Sequence, residues 1–201
     1  IKIDNMKQNI MIKKIIAVNI FTFLCLVLLS VTYPLFIWGI AQVTPGKGKG
    51  LVVEKEGKVV GFYHEGQSFT NDNYFWGRPS VVNYNGAGSG GSNKGTSNPE
   101  YLKEVEHRID TFLLNHPYLE RKEVPAELVT ASGSGLDPNI SPKAALVQVK
   151  RVAKARGINE KQLQQLVKEH TKAPLFKVLG PSIINVLELN LALDNLQKTK
   201  K

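Results

Sequence analysis

No charged residue lies between Lys14 and Lys47. The apolar core of that interval, Ile15 to Ala41, reads IIAVNIFTFLCLVLLSVTYPLFIWGIA. As a helix it would be roughly 40 Å long, against a hydrocarbon core of about 30 Å. Tilt, or a kink at Pro34, absorbs the excess. Tyr33 and Trp38 suit the far interface. The competing reading is a cleaved signal peptide, whose apolar region runs to about 7–15 residues before a small-residue site. This core is longer and lacks an A-x-A site. Bulky Phe23 and Leu24 precede Cys25, which argues against a lipoprotein box. A retained transmembrane helix is the better fit. Cys25 is the single cysteine, so the chain makes no internal disulfide.

Lysine bias sets the expected orientation. Lys2, Lys7, Lys13 and Lys14 precede the span, and Lys47 and Lys49 follow it. That favours a cytoplasmic N-terminus and an external remainder. The chain is then expected to divide into a cytoplasmic tail over 1–14, a membrane helix over 15–41, a linker over 42–50 and a soluble extracytoplasmic domain over 51–201. The chain starts at Ile1, and Met6 and Met11 are the candidate native starts. At about 100° per residue, Asn19, Thr22, Ser30 and Tyr33 fall on one arc. Such a stripe packs better against another helix than against acyl chains. Single Ser, Thr and Tyr residues are tolerated at many positions in a membrane helix, and Asn19 is the costly member.

The remainder has the composition of a folded domain, since the whole chain is 42% hydrophobic and 21% charged. The net charge is +9. The basic residues are dispersed apart from Lys13-Lys14 and Lys198-Thr199-Lys200-Lys201. No basic stripe alternates with aromatics, which argues against nucleic acid and leaves the membrane surface as the anionic partner. Val43–Gly50 is a Gly/Pro linker. LVVEKEGKVVG predicts a β-hairpin turning at Glu56-Gly57. Gly66–Phe75 adds short aromatic, polar and turn signals, and residues 77–98 form a long loop of small residues. Asn98-Pro99-Glu100 opens a helix with Leu102, Val105, Ile109, Phe112 and Leu113 on its apolar face, stopped by His116-Pro117. Val124–Pro142 is irregular. Ser141-Pro142 opens a second helix carrying Ala145, Val149 and Val152 and ending at Gly157. Asn159 opens a third with Leu163, Leu166 and Val167, and Asn185 a fourth over Val186–Leu196. The fold class is α+β: one membrane helix, then a small mixed domain, β-rich first and with about four helices after. No internal repeats occur.

The stretch SGGSNKGTSNP, Ser89–Pro99, invites a phosphate-cradle reading. A P-loop requires G-x-x-x-x-G-K-[ST] between a strand and a helix. Counting from Gly88 places Asn93 at the second glycine, and Lys94 is followed by Gly95. No apolar strand precedes it. An anion nest and a close-packed turn both stay open. His64, His107, His116 and His170 lack metal-ligand spacing and are expected mostly at the surface. ASGSG at Ala131–Gly135 is not a nucleophile elbow. Ser132, His170 and Asp137 form no more of a triad than any such chain offers. Nothing in the residues argues for catalysis.

Several segments together resemble one family, the C subunit of the Kdp-type high-affinity potassium-transporting P-type ATPase. They are GQSF (Gly66–Phe69), YFWGRPS (Tyr74–Ser80), YN followed by SGGSNKG and SNP (Tyr84–Pro99), VPAELVTASGSGLDPNISP (Val124–Pro142), Gln148–Gly157 and NVLELNLALD (Asn185–Asp194). The resemblance implies a non-catalytic, single-pass accessory subunit in a bacterial inner membrane. Its implied partners are a channel-like potassium-selecting subunit, a pump subunit that hydrolyses ATP, and membrane lipid. It also implies a role as a catalytic chaperone raising the pump subunit's affinity for ATP. ATP, Mg and K then belong to the complex, with no cofactor assigned to this chain. Candidate loop or partner-contact residues are Tyr74, Arg78, Tyr84, Ser89, Gly90, Gly91, Asn93, Asp137, Gln148 and Arg151, and fold-determining bonds are the competing role for them. Asn19, Thr22, Ser30 and Tyr33 are the candidates for packing in the membrane. The chain departs from the resembled pattern at Gly86 and Lys150, where proline is usual, and at Lys94, where an apolar residue is usual. The rival classes are a membrane-anchored extracytoplasmic ligand- or anion-binding module and a nucleotide-binding regulatory subunit.

Overall fold

A computed structural model describes residues 2–198, with side chains described for residues 9–197. Lys2, Lys7 and the terminal run Lys198-Thr199-Lys200-Lys201, invoked above for their charge, lie outside the described side chains. The chain divides into two compact units, one ending at Gly50 and one beginning at Leu51.

The first unit is helical. α1 covers Lys2–Val27, a π-helical turn covers Leu28–Thr32, and α2 covers Tyr33–Gln42. The π turn answers to Pro34. A proline inside an α-helix clashes with the carbonyl four residues back, here Ser30. Widening the preceding turn relieves the clash, and Tyr33 N–H bonds Leu28 O five residues back. The segment Asn9–Gln42 is 34 residues long, contains an 18-residue stretch of mean hydropathy 2.5, and is long and apolar enough to cross a membrane. Asn19 Nδ2 donates to Ile15 O at 2.8 Å, so the costly amide finds an acceptor within its own helix. The π turn also shifts the helical phase. Tyr33 lies beyond it, so the arc drawn with ideal spacing from Asn19 holds only as far as Leu28.

The second unit opens with the hairpin, β1 (Val52–Lys55) and β2 (Lys58–Phe62), antiparallel and with a bulge at Val53/Glu54. Glu56 and Gly57 have φ of 54° and 75°, the left-handed pair that a two-residue hairpin turn demands. α3 (Pro99–Asn115) starts as read, with the Asn98 side chain accepting from Tyr101 N–H. Its buried face carries Phe112, with Val105 and Ile109 packed against the core, whereas Leu102 is 49% exposed. The irregular segment after it contains 3-10 turns at Arg121–Glu123 and Ala126–Leu128 and the short strand β3 (Asn139–Ile140).

The helix expected from Pro142 to Gly157 is two helices, α4 (Pro142–Leu146) and α5 (Val149–Arg156). The break lies at Gln148. Its side-chain Nε2 takes Ala144 O at 3.0 Å, the carbonyl its own backbone N–H would use in an α-helix. That N–H goes instead to Ala145 O, three residues back. Gly157 closes α5 at φ 64°. α6 (Glu160–Glu169) begins at Asn159, and α7 (Val186–Lys198) begins where Asn185 Oδ1 accepts Glu188 N–H at 3.1 Å. Asn185 also belongs to β4 (Ile184–Asn185), which pairs antiparallel with β3. Ile140, Val152, Leu163, Ile184, Leu189, Leu193 and Phe75 form the centre of the apolar core.

Candidate functional site

The residues singled out from sequence gather at three places. The first is built on Arg151, in the middle of α5 and 6% exposed. A buried guanidinium requires replacement of its lost hydration. Its Nε donates to His116 Nε2 at 2.9 Å, and Nη1 donates to Asp72 O at 2.6 Å. Nη2 donates to Tyr74 O at 3.0 Å and to Gln148 Oε1 at 2.8 Å. The Trp76 ring lies 4.0 Å away beneath the charge, and Asp72 Oδ1 lies 3.7 Å away. Burial pulls the Arg151 pKa down to about 10, which leaves it charged at neutral pH. Since Arg Nε only donates, His116 Nε2 must be a lone pair. Its proton is therefore on Nδ1, which faces Phe112 O at 2.7 Å. Burial, with the Arg151 charge, drives the His116 pKa down to about 4 against the opposing bond to Phe112 O.

The histidines are expected mostly at the surface, and His116 is an exception. It is fully buried, stacked on Phe112 with ring centroids 3.9 Å apart. Its place follows from the end of α3, which turns the ring inward beneath Arg151.

Helix side chains bind the backbone of the segment 72–76 residue by residue. Arg151 takes the carbonyls of Asp72 and Tyr74, and Arg156 Nε takes that of Asn73 at 2.6 Å. Asn190 Nδ2 takes Phe75 O at 3.0 Å while its Oδ1 accepts Phe75 N–H at 2.9 Å. Gln148 does the same for Trp76, at 3.1 and 2.8 Å. Asn190 and Gln148 thus imitate the partner strand of a β-ladder. Beside them, Asp194 accepts from Arg156 at 2.8 Å, Lys55 at 2.7 Å and the Tyr74 hydroxyl at 3.5 Å. Burial opposes the Asp194 charge, but Lys55 and Arg156 outweigh it and hold the carboxyl below its ordinary pKa. Asn190, Asp194 and Arg156 were not singled out from sequence, and His116 only as a helix stop and one of four histidines. The detectable signal was a polar residue inside an apolar helical run, Asn190 between Leu189 and Leu193.

The second place joins Arg78, Tyr84 and Asp137. Arg78 Nη1 meets Asp137 Oδ2 at 2.9 Å, and Asp137 Oδ1 accepts Asn139 N–H at 3.0 Å. The Tyr84 hydroxyl donates to Arg78 O, and burial, with the Asp137 charge, raises its pKa. Gly66 lies alongside, where a Cβ would stand 2.5 Å from Asp137 O.

The third place is the glycine loop. Gly90 N–H donates to Ser134 O at 2.9 Å, as does the Ser89 hydroxyl. Gly91 lies where a Cβ would be 2.9 Å from Gly133 O. The loop is closed against ASGSG, and the Gly90 amide that an anion nest would require is already used. Asn93 is exposed at φ 53°. Lys94 Nζ stands 4.0 Å from both Glu100 and Glu104 of α3, and Lys150 lies over the Tyr118 ring at 4.9 Å.

The first place is one of paired donors and acceptors, whereas at the second the Arg78 Nε is buried without a hydrogen-bond partner among the described residues. Arg151, Gln148 and Asn190 have their polar atoms committed to backbone and to each other. Among the described residues no group of His, Cys, Asp and Glu could hold a metal ion.

Comparison with known proteins locates the chain. The family model described as "K+-transporting ATPase, c chain" (KdpC) matches residues 15–195. A potassium-transporting ATPase KdpC subunit of Flavobacterium psychrophilum is 57% identical over 185 residues, covering 92% of this chain and 100% of that protein. Its namesake in Flavobacterium johnsoniae is 55% identical over 176 residues, 88% of this chain and 94% of that one. That of Bacteroides thetaiotaomicron is 57% identical over 171 residues, 84% and 90% respectively.

Proposed function

The chain belongs to the KdpC family, and from that premise we propose that it is an accessory subunit of a potassium-transporting P-type ATPase. The observation that carries the reading is the extent of the match, which runs from the apolar helix through α7. The proposed role is assembly. One helix anchors the subunit beside a channel-like potassium-selecting subunit and an ATP-hydrolysing pump subunit, and the rigid domain presents loops to them. The domain has no catalytic part in this reading, and ATP, Mg and K act in the complex. The lysine bias supports a cytoplasmic N-terminus in the inner membrane with the domain outside. An effect on ATP affinity, the chaperone role, then has to be relayed through membrane helices, because ATP is cytoplasmic.

Affinity purification of the tagged full chain in mild detergent tests the proposal. Pump and channel-like subunits should copurify in a fixed ratio. Isolation of the chain alone would refute it. Adding the chain back to a complex lacking it should lower the KM for ATP. Cysteine labelling from each side of the membrane should reach the domain only from outside.

A further inference from the structure

Between α6 and β4 the chain projects a finger. Its base is the bridge Lys172↔Ile183 and its upper rung is Leu175↔Leu179. The rung is closed by Leu175 N–H to Leu179 O at 3.0 Å and Leu179 N–H to Leu175 O at 2.9 Å. At the tip Leu175 is 63% exposed, Phe176 82%, Val178 80% and Leu179 60%. Four large apolar side chains on one exposed turn form a contiguous patch, unlike the scattered apolar residues that any surface carries. The turn holds Phe176 and Lys177 at φ of 52° and 62°, a left-handed pair that non-glycine residues adopt at a cost. No acidic residue occurs between Glu169 and Glu188.

We propose that this finger, Leu175–Leu179, dips into the interface of the bilayer that anchors the chain, with anionic phospholipid as its ligand. Three features select lipid over a protein pocket. Lys177 sits at the apex among the apolar side chains, where a protein pocket would have to bury its charge. At a bilayer its stem lies along acyl chains while the ammonium reaches headgroup phosphate. Lys172 at the base is paired with Glu188 at 2.8 Å, so the charge carried by Leu175–Leu179 is that of Lys177, positive and complementary to anionic headgroups. The link of residues 43–50 reaches at most about 28 Å when extended. A domain of this length is roughly 35–40 Å across, so such a link holds the domain at the membrane surface, where even a weak interfacial contact is populated. The inference rests on membrane anchoring and not on assembly with a pump.

The test uses the full chain with Cys25→Ser in proteoliposomes, carrying a spin label at Phe176→Cys, at Val178→Cys, or at Lys161→Cys as a solvent-exposed control. In vesicles of phosphatidylethanolamine and phosphatidylglycerol, the ratio of oxygen to nickel-chelate collision rates should be severalfold higher at 176 and 178 than at 161. Lys177→Glu, or pure phosphatidylcholine, should reduce that ratio. Equal ratios at all three positions would overturn the proposal. So would labels that become protected only when the other subunits are added, which would make the finger a protein contact. Flotation after carbonate washing reads anchoring separately, and a chain that fails to float would remove the premise and the proposal together.

Discussion

Acidification should weaken the domain through His116 before it touches Asp194. In the folded chain the imidazole must stay neutral, because Nε2 accepts from Arg151 Nε. Its pKa is about 4 there and 6.5 when unfolded. Between those values the unfolded chain binds the extra proton, so stability falls as pH falls from about 6.5 towards 4 and is fully present above 6.5. Each pH unit inside the interval costs up to about 1.4 kcal/mol. Stability at pH 5 should lie about 2 kcal/mol below that at pH 7.5, and the loss approaches about 3 kcal/mol near pH 4. Against a typical total of about 5–15 kcal/mol this is a large fraction. Asp194, whose carboxyl is held below 3.8, contributes its own loss only below that interval. The assay is urea denaturation of the full chain in detergent, followed by tryptophan fluorescence at half-unit pH steps. His116→Gln retains an acceptor for Arg151 but does not titrate. Its stability should be lower at pH 7.5 and nearly flat from 6.5 to 4.5. If wild type and variant show the same slope over that interval, the placement of the proton on Nδ1 and the neutral-imidazole reasoning are wrong.

Other changes separate structural from incidental residues. Asn190→Leu leaves Phe75 N–H and C=O buried and unpaired and should cost roughly 2–5 kcal/mol, read as a lower urea midpoint with an unchanged slope. Gly66→Ala forces a Cβ to 2.5 Å from Asp137 O and should cost more than about 2 kcal/mol; a variant as stable as wild type with an intact Arg78–Asp137 pair would contradict the geometry. Lys94→Leu removes only exposed contacts at 4.0 Å. It should change stability by no more than about 0.5 kcal/mol, and pull-down yield of the complex should be unaffected.

Local chemistry was readable in the sequence and tertiary chemistry was not. Asn98-Pro99, Asn159, Gly157 and the Glu56-Gly57 turn each act through neighbouring residues, so helix starts and the hairpin could be placed directly. The break at Gln148 carries no glycine or proline. It arises because a side chain takes the carbonyl its own amide would have used, and does so while reaching a segment 72 residues away. The same holds for His116, whose polarity argued for the surface, and for Asn190, whose partner lies 115 residues earlier. Arg78, Tyr84 and Asp137 were named separately, and only the fold shows them as one group. Ser89 and Gly90 were read as an open question about anions, which the approach of Ser134 resolves for the Gly90 amide.

The clamp on residues 72–76 has a consequence for the order of events during synthesis. Lys55, Tyr63, Tyr74 and Phe75 are bonded to Asp194, Asn185 and Asn190. The early half of the domain therefore cannot complete its polar contacts until Asn185, Asn190 and Asp194 have left the ribosome. Contacts of such long sequence separation slow folding, because the intervening loop must be closed first. Until then Phe75 waits without Asn190, the side chain that pairs both of its backbone groups. A nascent chain stalled before Asn185 should be sensitive to protease at that segment, and release of a chain that includes Asp194 from the ribosome should end the sensitivity abruptly.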